Sequence, residues 1–192
     1  KQFSKLIEPL LNGYDATFGC WGSNEIASTY PKFQYVSELF VNRITNTSSK
    51  QVTPDYKNML SYSFDYNSDF SGMIQIFSGI AAFTKESWNN TLNEMFKIFG
   101  TTKLGWSLEV IALLVLKELK SNVKNVECER VKESNPPNLG EATTRIIQIK
   151  DAFDCTNTFL KHTKQYEKLE KFLRIEEEMI KIVEDLLVKS RS

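Results

Sequence analysis

An all-α fold, a helical bundle of about six to eight helices, is what this sequence predicts, and three patterns carry that expectation. The nearly all-apolar segment from Leu104 to Leu119 reads as a central helix buried on every side. A charged amphipathic stretch, running from Gly140 to about Val188 without a further proline or glycine, reads as a helix laid across the surface. Apolar residues also recur at helical spacing in several shorter segments ahead of these two. On this reading residues 1–192 form a single helical domain, elongated if the last helix runs straight.

In chain order, Phe3, Leu6, Ile7, Leu10 and Leu11 make one stripe of a short helix that Asn12-Gly13 stops. Gly13 to Asn24 holds three glycines with Cys20 and Trp21 and shows no helical period, so it reads as a loop with buried aromatic anchors. A second helix is expected over Glu25 to Ile44, with Pro31 in its first turns or at a break. Phe33, Val36, Phe40 and Ile44 would share one face of it, with Leu39 beside them. The polar run of residues 45–54 reads as an exposed, protease-sensitive loop. A short helix over Asp55 to Ser61 follows, and then a helix over Phe70 to Phe83 with Asp69 as its N-cap. Two glycines in that helix lower its propensity but let a neighbouring backbone approach. Thr84 separates it from a helix over Glu86 to Phe99, whose Trp88, Leu92, Met95, Phe96 and Phe99 should cover one side of the central helix.

Apolar side chains point from the central helix in nearly every direction. At about 1.5 to 3 kcal/mol for each large side chain fully buried, this segment supplies much of the driving force for folding. Glu109 is its single charge before Lys117 and belongs at the helix rim. Two consecutive prolines make residues 131–139 an exposed loop, after which Asn138 and Glu141 resemble a capping pair. A straight helix over 140–188 would be about 70 Å long, so a break or bend is expected at His162-Thr163-Lys164, where the apolar stripe thins. Charge pairs such as Glu167 with Lys171 and Glu170 with Arg174 support the helix without marking a site.

Composition narrows the function classes. A 41% hydrophobic, 25% charged chain is neither disordered nor fibrous. Lys plus Arg and Asp plus Glu balance at 24 each, which removes the basic field that nucleic acid binding needs. The longest apolar run, Val110 to Leu116, is far short of the roughly 20 residues of a membrane span. The chain begins Lys1-Gln2-Phe3 without an initiator Met or a signal-like segment, as a processed chain or an excised domain would.

No residue set assembles chemistry. His162, the single histidine, lies seven positions from Cys155, about 10 Å along a helix, too far for a Cys-His nucleophile pair. Cys20, Cys128 and Cys155 have no metal-ligand spacing, and Gly100-Thr101-Thr102-Lys103 lacks the pattern of a phosphate loop. No cofactor is implied and no enzyme activity is expected. One disulfide with a free thiol and three buried thiols both fit the cysteine count; antiparallel packing across the double-proline loop disfavours Cys128 with Cys155, and Cys20 is the more adaptable partner. Asn46 and Asn89 begin glycosylation sequons, which leaves extracellular, luminal and intracellular settings open.

Met95 to Leu116, an amphipathic helix end passing through Gly105-Trp106 into an apolar helix, resembles the first homology region of apoptosis-regulating helical bundles, although the Asn-Trp-Gly-Arg core is missing. Two apolar segments beside long charged helices are similar in pattern to helical pore-forming toxins. Neither resemblance carries residue-level motifs, and no family is assigned. The expectation is therefore a non-enzymatic binding protein that recognises a protein partner, with the aromatic Tyr56, Tyr62, Phe64, Tyr66 and Phe70 as the candidate surface. The alternative is a lipid-binding or membrane-active protein whose Ile74, Ile76, Phe77 and Ile80 meet a bilayer. An α-helical enzyme stands third.

Overall fold

A computed structural model describes residues 2–21, 32–48, 73–76, 79–100, 107–128 and 139–189. Among them are six helices and three strands: α1 (Gln2–Leu11), β1 (Ala16–Cys20), α2 (Lys32–Ser48), β2 (Ala81–Phe83), α3 (Lys85–Phe99), α4 (Leu108–Glu118), β3 (Val123–Glu127), α5 (Leu139–His162) and α6 (Tyr166–Lys189). The strands form one sheet of order β2-β1-β3, which overturns the all-α expectation. In it β1 pairs antiparallel with β2 (Ala16 with Phe83) and parallel with β3 (Ala16 with Val123, Cys20 with Glu127).

The sheet divides the apolar interior. Ala16 and Phe18 point from β1 into the main core, where Leu113, Leu114 and Leu116 of α4 meet Phe153, Phe159 and Leu160 of α5, Ile44 of α2 and Leu169 of α6. Thr17, between them in sequence, faces the other way, and its hydroxyl donates to the Leu6 carbonyl of α1 at 3.0 Å. This is the alternation a strand imposes, and it gives β1 a helical layer on one side and α1 on the other. Under α1 lies a second cluster of Leu6, Trp21, Val126 and Cys128, with Leu39 and Met73. All seven residues from Val110 to Leu116 are buried, so α4 occupies the central place expected of it. Met95 of α3 packs on its Ile111 and Val115, with Leu92 and Phe99 alongside, whereas Phe96 points outward.

Short-range chemistry sets several boundaries. The Thr84 hydroxyl accepts from the Ser87 amide at 3.1 Å and caps α3, and Gly100, at φ 63°, ψ −137°, closes it with its N–H on the Phe96 carbonyl. α5 and α6 separate at the expected break: Lys164 takes a left-handed φ of 58°, and the Gln165 N–H returns to the Leu160 carbonyl at 2.8 Å. Arg145 of α5 pairs with Glu38 of α2 and donates to the Gln148 side-chain oxygen at 2.9 Å, tying those helices together.

Four further expectations change. The loop assigned to Gly13–Asn24 contains β1, because the Gly19 N–H finds the Ile80 carbonyl at 2.8 Å and the parallel ladder with β3 takes up the other edge. The helix assigned to Phe70–Phe83 is not helical in its described part: residues 73–76 form no regular element, and Ala81–Phe83 is β2. Residues 45–48, expected to open an exposed loop, are the last turn of α2, with Thr45 and Asn46 fully buried. Finally, the buried face of α2 is mixed rather than apolar: Leu39 and Ile44 are buried as expected, but so are Gln34, Ser37 and Asn42, while residues 25–31 of the expected helix lie outside the described residues. Residues 49–54, 131–138 and the proposed helix over 55–61 lie outside the described residues.

Candidate functional site

Helix α1 carries more apolar surface than the sheet beneath it covers. Leu6 and Pro9 are buried against the sheet, whereas Phe3, Ile7 and Leu11, at i, i+4 and i+8, are 80%, 45% and 82% exposed. Helical geometry aligns these three in one stripe about 12 Å long. Ser4, Lys5, Glu8 and Asn12 are also exposed, so polar groups accompany the stripe on a short rigid element. The helix is held from below by the Thr17–Leu6 bond and from its end by the Asn12 and Tyr14 amides, which donate to the Pro9 carbonyl at 3.0 and 3.1 Å. A stripe of large side chains so placed can fill an apolar groove of a partner, in the manner of helix-in-groove recognition.

A second arrangement is interior. The extended residues Met73–Ile76 are gripped by side-chain amides in place of a neighbouring strand. Asn46 donates to the Ile74 carbonyl at 2.9 Å and accepts from the Ile74 N–H at 2.8 Å, and Asn42 accepts from the Ile76 N–H at 3.0 Å. From β3, Asn125 accepts from the Gln75 N–H at 3.0 Å and donates to the Met73 carbonyl at 2.6 Å. Gln75 in turn accepts from the Trp21 N–H and donates to the Trp21 carbonyl, at 3.0 and 3.1 Å. Each carboxamide offers one acceptor and two donors, which matches a peptide unit presented edge-on. Buried main-chain groups without a strand partner are thereby satisfied, and Ile74 and Ile76 enter the main core.

Burial shifts several of the titratable groups. Burial, the nearby Cys128 and Glu127 push the Cys20 thiol up to about 11, and burial is also the first cause raising Cys128 and Cys155. Thiols held protonated at neutral pH are poor nucleophiles and poor metal ligands. Burial raises the Glu176 carboxyl, with Asp154 adding to the shift, and burial lowers the Lys117 ammonium. His162 is exposed at the end of α5. Among the described residues no group of three His, Cys, Asp or Glu side chains is placed to hold a metal ion.

Tyr56, Tyr62, Phe64, Tyr66 and Phe70, the expected binding surface, lie outside the described residues, as does Phe77. Of the residues nominated for membrane contact, Ile74 and Ile76 are buried in the main core and Ile80 packs, partly buried, on the cluster under α1. Asn46, which begins the first sequon, is 0% exposed, and its amide nitrogen is taken up by the Asn42 and Ile74 carbonyls. Asn89 is exposed on α3, and the Thr91 of its sequon is buried. Missed altogether were the clamping amides. Asn42 and Asn46 follow Leu39 at i+3 and i+7, on the same helical stripe, and amides at core positions were the available signal. The exposed half of the α1 stripe was hidden by its own regularity: five apolar residues on one helix read as a core face. No protein-family model, curated protein or solved structure matches this chain.

Proposed function

We propose that this is a non-enzymatic binding protein that recognises a protein partner through the Phe3, Ile7 and Leu11 face of α1. The observation that carries the reading is the exposure of three large apolar side chains in one helical row on an element whose opposite side is anchored to the sheet. Isolated exposed leucines are ordinary, but an aligned row rimmed by polar residues is the surface pattern of an interaction site. Burial raises all three thiols, which works against a cysteine nucleophile.

The membrane-active alternative draws less support. Entry of Ile74 and Ile76 into a bilayer would expose main-chain groups that Asn42, Asn46 and Asn125 now satisfy, at a cost of several kcal/mol. Among the described residues no helix is long and apolar enough to cross a membrane.

The test compares the wild-type chain with Leu11→Asp and with Ile7→Asp in affinity capture, with neutral and anionic liposomes run in parallel. Both positions face solvent, so stability should stay within about 0.5 kcal/mol of wild type. The expected outcome is a protein retained by the wild type and lost from both variants, with inert liposomes. Capture unaffected by both substitutions, or liposome binding that both abolish, would overturn the reading.

A further inference from the structure

We propose that the outer side of α6 is a second docking surface, one that takes a basic amphipathic helix of a protein partner. The inner side of α6 is already occupied: Leu169 and Ile175 lie in the main core, and Ile182 packs against it. A second apolar row runs beside that one. Tyr166 and Leu173 are 58% and 48% exposed and Ile180 is partly buried, at i, i+7 and i+14. A seven-residue repeat drifts by only about 20° per step, so the three form one nearly straight seam about 21 Å long. One turn after each of them stands a glutamate, Glu170, Glu177 and Glu184, and all three are exposed. Side chains at i and i+4 are neighbours on a helix surface, so an apolar seam and a row of carboxylates run side by side.

Both rows bear on the occupant. Apolar residues at strict seven-residue spacing make a seam against which a second helix packs nearly in line. The charges that border such a seam then decide which helix is accepted, because they pair with or repel those of the partner. A second copy of α6 laid antiparallel would set glutamate row against glutamate row, and that like-charge meeting disfavours it. A helix with lysines or arginines along its own seam turns the same three carboxylates into attractions. Arg174 and Lys181 stand one turn after Glu170 and Glu177, on the far side of the acidic row from the seam. Exposed pairs of that kind are weak and leave the carboxylates open to an incoming cation. The acidic row also opposes an anionic bilayer, for which a docking helix carries Lys and Arg on its polar face.

This surface is separate from the Phe3, Ile7 and Leu11 face. Leu6 anchors α1 in the cluster on one side of the sheet, and Leu169 and Ile175 anchor α6 in the main core on the other. Substitutions on one face therefore leave the other in place, and the two surfaces stand or fall independently.

The experiment titrates the full chain into a fluorescently labelled synthetic helix of about three heptads, with leucines along its seam and lysines on both flanks, and follows anisotropy at low and high salt. A twin peptide with glutamates in place of the lysines and a scrambled lysine peptide serve as controls. The lysine peptide should bind about tenfold or more tighter than either control, and its affinity should fall as salt is raised. Leu173→Asp should weaken that binding by about tenfold, and Glu170→Lys with Glu177→Lys should reverse the preference toward the glutamate peptide. Leu11→Asp, on the α1 face, should bind as the wild type does. All the altered positions face solvent, and a helical circular dichroism spectrum for each variant checks that the fold survives. Equal binding of the lysine and scrambled peptides, a preference that the charge reversal leaves unchanged, or lysine-peptide binding that Leu11→Asp also abolishes would overturn the assignment. So would a concentration-dependent dimer that Leu173→Asp disperses, which would give the seam to a second copy of the chain.

Discussion

Asn46 shows how much one side chain can carry. Its carboxamide closes both hydrogen-bonding edges of Ile74 and also donates to the Asn42 carbonyl one turn back in α2. Replacement by Ala strands a buried donor and a buried acceptor in the main core, and each costs more unpaired than its bond contributes when made. Asn46→Ala should lower unfolding free energy by about 3 kcal/mol in a denaturant titration, and hydrogen exchange at the Ile74 amide should lose its protection. A loss under about 1 kcal/mol would mean that water replaces the clamp. The polar character of Asn46 is plain in the sequence, and there it suggested a sugar acceptor in an exposed loop. Its role depends on Ile74, 28 positions away, and no local pattern announces that partner.

Among the elements, α3 is the one whose limits follow from neighbouring residues. The Thr84 hydroxyl on the Ser87 amide starts it and the left-handed Gly100 ends it, both within hydrogen-bonding reach along the chain. Thr84→Ala should therefore cost about 1 kcal/mol, read as a lower denaturation midpoint with an unchanged dependence on denaturant. The break between α5 and α6 was similarly legible, since an apolar stripe that thins at His162-Thr163-Lys164 leaves little to hold a continuous helix. Strands β1, β2 and β3 have no comparable signature. They are five, three and five residues long, too short for a period of two to stand out, and Ala81–Phe83 continues an apolar run that reads equally well as helix. Tertiary pairing overrode local propensity there.

At the scale of the whole molecule, the fold is a small mixed sheet with α1 on one face and a helical layer built round α4 on the other. Leu114 of α4 is fully buried in the main core, and Leu114→Ala should destabilise the protein by about 2 to 5 kcal/mol through lost transfer energy and the cavity left behind. The measurement is again an unfolding titration, and a cost under about 1 kcal/mol would show that α4 is not packed as the central element. By itself the sequence determined the helices with long apolar periods, the buried centre of the molecule and the stops at Gly100 and near Lys164, because those features depend on residues within a turn or two of one another. Only the tertiary structure decided that Ala16–Cys20 is a strand, that β3 lies parallel to it, that Asn42, Asn46 and Asn125 hold an extended segment, and which half of the α1 stripe meets solvent. Those outcomes are set by hydrogen bonds and contacts between residues tens to more than a hundred positions apart, and a single chain read in order contains no period that encodes them.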